Sequence, residues 1–182
     1  MKKLLFILTV FVLTFSQSAK AQYENGDVLV NVGLGLGSYY ATGSGFSTTL
    51  PAIEVGPEFF VAEEFSVGGF IGVYLAKYKF GYFESKYNYM NIGALGNYHL
   101  VNTSQWNVYA GARLGYVNEK VSNVTEDDPE NGNFNSSVDG RGSGVLFGIQ
   151  LGARYFLIES IAINAELGYG ISILKVGVTV SL

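Results

Sequence analysis

The chain has 182 residues, 48% of them hydrophobic and 14% charged, with 24 glycines, 13 tyrosines, 13 phenylalanines, no cysteine and a formal net charge of −4. That length suits one domain, and high hydrophobicity with few charges excludes intrinsic disorder. The absent cysteines exclude a disulfide scaffold and a thiolate metal site, and 11 basic residues scattered along the chain predict no basic patch of the kind a nucleic-acid binder needs.

In chain order, the first element is a targeting segment. Met1, Lys2 and Lys3 precede an apolar run from Leu4 to Phe15, then Ser16, Gln17 and Ser18, then the small-x-small stretch Ala19-Lys20-Ala21. The run is too short to span ~30 Å of hydrocarbon as a helix. Residues 1–21 therefore read as a cleaved secretory signal, with Gln22 as the mature start. Loss of Lys2, Lys3 and Lys20 would leave 8 basic against 15 acidic residues, a net charge of −7. No later stretch reaches the ~18 apolar residues of a membrane helix.

Beyond the signal the chain alternates with period two, the signature of half-buried strands. From Asp27 to Tyr40, Val28, Val30, Val32, Leu34 and Leu36 share one face and Asn31, Gly33, Gly35 and Gly37 the other. The pattern predicts further strands over 47–61, 65–78, 87–101, 106–117, 144–157, 160–170 and 173–182, eight in all. Strands of ~11 residues at ~3.3 Å each, tilted ~45°, rise about 26 Å, close to the ~25 Å apolar band of an outer-membrane barrel.

Which face points inward decides the class. A soluble barrel holding an apolar ligand turns Val, Ile and Leu inward and coats itself with charge. Here the second face is mostly Gly, Asn, Ser and Tyr, which suits a tight polar lumen, with Gly making room for side chains from the opposite wall. Aromatic residues gather at the strand ends: Tyr39, Tyr40, Phe59, Phe60, Phe65, Tyr78, Phe80, Tyr87, Tyr89, Trp106, Tyr116, Tyr155 and Tyr169. Such rings favour the two membrane interfaces. With a periplasmic N-terminus, the inner turns at 62–64, 102–105 and 158–159 are short. The outer connections are 41–46, 79–86, the long 118–141 and a tight turn at Ile171-Ser172.

On these features the chain resembles the small eight-stranded outer-membrane barrels of the OmpA transmembrane-domain and OmpX type, over residues 22–182. The resemblance implies an all-β, antiparallel up-and-down transmembrane barrel in the outer membrane. It implies the barrel-assembly machinery, outer-membrane lipid and lipopolysaccharide as partners, and a monomer. Members usually close the last strand on Phe; Leu182 stands there in this chain. The function expected is structural, surface-interacting or that of a narrow pore. The alternatives are a lipid A-modifying enzyme and a secreted soluble barrel binding an apolar ligand.

The candidate site is a set of lumen charges. Glu54, Glu58 and Glu166 share the polar face with Arg113, Arg154 and Lys175, and depth along the strands sorts them into Glu54 with Arg113, Glu58 with Arg154, and Glu166 with Lys175. An unpaired charge in so narrow a space is costly, so these should pair, either as a plug or as a gated ion path. His99 is the single histidine, and no serine motif surrounds it, so no catalytic residue, metal or cofactor is expected. The loop 118–141 carries Glu126, Asp127, Asp128, Glu130 and Asp139, an acidic outer surface for an extracellular ligand. Its spacing matches no EF-hand. Gly33-x-Gly35-x-Gly37 lies within a strand and so is no phosphate loop.

Overall fold

The computed structural model describes residues 23–38, 44–80, 83–125 and 139–182. They form eight strands: β1 (Val28–Ser38), β2 (Phe46–Ala62), β3 (Phe65–Phe80), β4 (Phe83–Asn102), β5 (Trp106–Thr125), β6 (Asp139–Ile158), β7 (Ile161–Tyr169) and β8 (Ser172–Ser181). Each pairs antiparallel with the next, and β8 pairs with β1, closing the barrel.

Alternation decides which way each side chain points. Val32, Leu34, Val55, Ile71, Ile92, Leu114, Phe147, Ile149, Leu167 and Val178 are exposed on the outer wall. In water such a surface would be an aggregation hazard; in hydrocarbon it is the solvent-matched face. The register levels Leu34 with Ile53, Ile53 with Val73, Val73 with Met90 and Ile92 with Tyr116, so the apolar band continues around the wall. Phe65 packs on Tyr98 and Trp106 on Tyr155, with centroids 4.9 and 4.8 Å apart, forming a girdle at the short-turn end.

Four strands run two or more residues further at their outer ends than the alternation predicted. β3 and β4 pair out to Phe80 and Phe83, so the connection read as 79–86 is mostly ladder. β5 runs to Thr125 and β6 begins at Asp139, which shortens the loop read as 118–141 to residues 126–138. Beyond the apolar band the outward positions include Lys, Arg, Asn and Ser. The hydrophobic alternation vanishes there although backbone pairing continues. The barrel is therefore tall on the β3–β6 side and short elsewhere. The last hairpin turns on Gly170, whose φ of 137° lies where L side chains are strained, and Ile171 is buried rather than exposed in a turn.

The aromatic residues divide by parity. Phe59 is exposed on the wall while its neighbour Phe60 points inward, and Tyr89 is also buried in the lumen. These two are core residues, not interface anchors. Tyr39 and Tyr40 lie outside the described residues. Glycines on the inner face make room for neighbours on adjacent strands rather than from the opposite wall. A Cβ on Gly152 would meet Tyr109 Cζ at 2.3 Å, and Tyr109 is its direct partner on β5.

The interior has three layers. At the short-turn end Tyr23, Leu29, Phe60, Phe156 and Ala162 form an apolar plug, with the Tyr23 ring 4.7 Å from Phe60 and 5.5 Å from Phe156. Asn102 Nδ2 donates to Tyr23 O and fixes that segment across the mouth. At the tall end Ala52, Phe70, Tyr74, Tyr89, Val117, Leu146 and Ile171 form a second apolar cluster. The charges lie between.

Candidate functional site

All six charged residues, Glu54, Glu58, Arg113, Arg154, Glu166 and Lys175, face the lumen and are buried there. Their strands explain how they meet. Glu58 on β2 and Arg154 on β6 stand on opposite sides of an eight-strand ring, and Arg154 Nη2 donates to Glu58 Oε2 straight across it. Four residues earlier on β2, on the same face, Glu54 Oε2 accepts from Arg113 Nη1 at 2.8 Å. Lys175 Nζ donates to Glu54 Oε1 and lies 2.7 Å from Glu166 Oε2, and Arg113 Nη2 lies 3.4 Å from that same oxygen. The upper layer thus joins β2, β5, β7 and β8 through two carboxylates and two cations.

Neutral side chains complete both layers. Around Glu58, Ser66 Oγ donates at 2.6 Å, Asn97 Nδ2 at 2.9 Å and Asn31 Nδ2 at 2.9 Å. Gln150 Oε1 accepts from Arg113 Nε at 2.8 Å, while its Nε2 donates to Asn97 Oδ1 at 2.8 Å and so links the layers. Tyr109 OH donates to Glu166 Oε1 at 2.7 Å, and the Arg154 guanidinium lies 4.2 Å from the Tyr109 ring centroid. Arg113 sits 5.0 Å from the Phe70 ring centroid, where the charged layer meets the upper apolar cluster. A buried charge is tolerable only when paired and hydrogen-bonded, and here three acids face three bases with every strand contributing a polar group. Among the described residues the lumen holds a cavity of about 20 Å³ beside Arg113 and Glu166 and another of about 10 Å³ beside Asn97 and Phe70. Each is the size of roughly one water.

His99 faces the lumen with its polar atoms engaged, and its serine neighbour comes from the adjacent strand β3 rather than from a local motif. His99 Nε2 is 2.8 Å from Ser66 Oγ and its Nδ1 is 3.0 Å from Asn107 Oδ1, an order that superficially matches nucleophile, base and orienting group. Ser66, however, gives its single proton to the Glu58 carboxylate. Nε2 must then be the donor to Ser66, the reverse of what a general base does. Both residues are buried under Phe60, whose ring centroid is 4.5 Å from that of His99. The neutral partners Ser66, Asn97, Asn107, Gln150 and Tyr109 were missed, since nothing in their spacing distinguishes them from other polar lumen positions. Of the acidic loop, Glu126, Asp127, Asp128 and Glu130 lie outside the described residues, and Asp139 opens β6 opposite Ser122. Among the described residues no group of three acidic or histidine side chains is placed to hold a metal ion.

The model of the outer membrane protein beta-barrel domain family matches residues 7–179. A search of curated proteins finds no significant match. Among solved structures, the fold is similar to the outer membrane protein OprG from Pseudomonas aeruginosa, with TM-score 0.58 and 11% identity over 90% of this chain and 99% of that one. It is similar to Neisserial surface protein A, with TM-score 0.55 and 14% identity over 86% and 96% of the two chains. It is also similar to the N-terminal β-barrel domain of Pseudomonas aeruginosa OprF, with TM-score 0.53 and 15% identity over 88% and 100%. At such identities the shared feature is the fold.

Proposed function

Because the chain belongs to the outer membrane protein beta-barrel domain family, we propose that it is a closed, non-enzymatic barrel of the outer membrane, a rigid anchor that carries its tall β3–β6 end beyond the lipid. The observation that carries this reading is the filled lumen. A polar layer neutral in sum is sealed by the plug around Tyr23 and Phe60 below and by Phe70, Tyr74 and Tyr89 above. Cavities for single waters make no continuous path for a hydrated ion. The donor order at Ser66 and His99 supports a structural role for that pair rather than acyl transfer.

Residues 1–21 act as the export signal in this reading, and processing after Ala21 leaves Gln22 beside the buried Tyr23. Intact-mass measurement of the protein recovered from outer membranes should give a start at Gln22; retention of Met1–Ala21 would contradict it. The barrel works as a monomer, inserted by the assembly machinery, and its acidic residues Glu126, Asp127, Asp128, Glu130 and Asp139 serve the contact with extracellular ligands.

Planar-bilayer recording of the refolded chain tests the closed state. The expected record is flat, with folding verified by the heat-dependent shift of its gel band. Discrete current steps from that folded protein would replace the anchor with a pore.

A further inference from the structure

Outside the first 21 residues the chain has eight basic side chains, and three of them are the lumen cations. The other five, Lys77, Lys79, Lys86, Lys120 and Arg141, all fall on one patch. The strands gather what the sequence scattered, which corrects the expectation that no basic patch forms. Each is at an outward position by parity: Lys77 and Lys79 on β3 follow Ile71 and Val73, Lys86 on β4 precedes Met90, Lys120 on β5 follows Tyr116, and Arg141 on β6 precedes Val145.

The register sets like charges face to face. Lys77 is the direct cross-strand partner of Lys86, and Lys120 of Arg141. Directly opposed side chains have Cβ atoms about 5 Å apart, and like charges there destabilise the sheet. One carboxylate relieves part of this: Glu84 Oε2 lies 2.9 Å from Lys79 Nζ, and its Oε1 lies 3.5 Å from Lys77 Nζ and 3.8 Å from Lys86 Nζ. The hydrogen bond from Lys79, helped by the charges of Lys77 and Lys86, holds the Glu84 carboxyl below its ordinary range. Among the residues whose side chains are described, no acidic group pairs with Lys120 or Arg141. With Asp139 two residues before Arg141 on β6, the patch has five cations against two acidic residues, a surplus of three.

Height gives the patch its meaning. Lys120 and Arg141 stand four residues beyond Tyr116 and Val145, the top of the apolar band, which is about 9 Å of rise for a strand tilted ~45°. The polar zone of a leaflet is roughly 5–8 Å deep, and lysine and arginine stems reach back several ångströms toward it. The cations thus overlie the headgroups, on the lipid-facing side of the wall and not around the lumen mouth.

We propose that Lys77, Lys86, Lys120 and Arg141 bind the phosphate groups of an anionic lipid of the outer leaflet, with its acyl chains on the apolar wall below. The phosphates supply the negative charge that balances the surplus of cations on the two like-charged pairs, through charge-assisted hydrogen bonds. The inference rests on the barrel lying in the membrane with its tall side outward.

Native mass spectrometry of the refolded chain tests it, titrating a bis-phosphorylated glucosamine lipid and its dephosphorylated counterpart. The phosphorylated lipid should bind at least about tenfold more tightly, and Lys77→Gln with Lys86→Gln, Lys120→Gln and Arg141→Gln should abolish the difference. Equal affinity for the two lipids, or an undiminished preference in the quadruple variant, would overturn the site. Displacement of the lipid by an equal concentration of inorganic pyrophosphate would show a soluble anion to be the occupant. Lipid binding that emerges only after Glu126, Asp127, Asp128 and Glu130 are changed to their amides would give the patch to the chain's own acidic loop. The heat-dependent gel shift separates these results from failure of the barrel itself: its loss in the quadruple variant voids only that arm, leaving the two-lipid comparison to decide, and its absence in the unmodified chain strikes the membrane-barrel reading.

Discussion

Arg154 shows what a single residue carries. It is 1% exposed and spans the barrel to Glu58, which itself accepts from Ser66, Asn97 and Asn31. Arg154→Met keeps much of the volume but leaves Glu58 charged and without its cation, a loss of about 3–5 kcal/mol. The urea midpoint, followed by Trp106 fluorescence in detergent micelles, should fall accordingly. Adding Glu58→Gln removes the stranded charge and should recover at least about half of that loss, since a buried pair replaced as a unit costs little. If the double variant is no better than the single, the pair is not the unit of stability. At this scale the sequence was informative about charge and silent about partners. Glu54, Glu58, Arg113, Arg154, Glu166 and Lys175 can be placed on the inner face from parity alone. Ser66, Asn97 and Gln150 could not be singled out, because which polar groups meet inside a tilted barrel depends on register between distant strands.

The elements were legible only where the bilayer forces a pattern. Inside the apolar band the outward positions are mostly Val, Ile, Leu or aromatic, with Ala, Gly and Met among them, so the strand cores were read correctly from hydrophobicity. Beyond it Lys77, Lys86, Asn88, Asn118 and Lys120 take those positions, and the period-two signal stops although the ladder does not. Residues 79–86 therefore read as a loop, although Lys79 pairs with Glu84 and Tyr78 with Ser85. This difference has a measurable consequence. Backbone amides in a closed ladder exchange slowly even when their side chains are wet. Hydrogen exchange on the refolded protein should show protection at the amides of the 74–79, 85–89 and 117–122 segments that donate across their ladders, well above that of the inner turn at 103–105. Fast exchange throughout 79–86 would restore the loop.

Closure belongs to the whole molecule, since no single layer produces it. The polar layer is ordered because apolar clusters at both ends exclude water, and those clusters stay packed because the charges between them are neutralised. Removing one component should loosen the lumen without opening it. Arg113→Ala leaves Glu54 and Glu166 sharing Lys175 and admits water, yet Phe60 and Tyr23 still block the lower mouth. Conductance should remain flat while the urea midpoint falls. Combining Arg113→Ala with Tyr23→Ala and Phe60→Ala below and with Phe70→Ala, Tyr74→Ala and Tyr89→Ala above removes the cation, the lower stopper and the rings of the upper cluster together. A barrel that still shows the heat-dependent gel shift should then pass current. The sign of its selectivity is set by the charges left behind: Glu54, Glu58 and Glu166 would outnumber Arg154 and Lys175, and a narrow lumen lined by excess negative charge prefers cations. Bilayer recording in a salt gradient reads this directly from the reversal potential. Cation preference in the combined variant, with silence in Arg113→Ala alone, would mean that the two apolar clusters and the salt bridges hold the barrel shut jointly. Steps from Arg113→Ala alone would place the whole barrier in the charged layer.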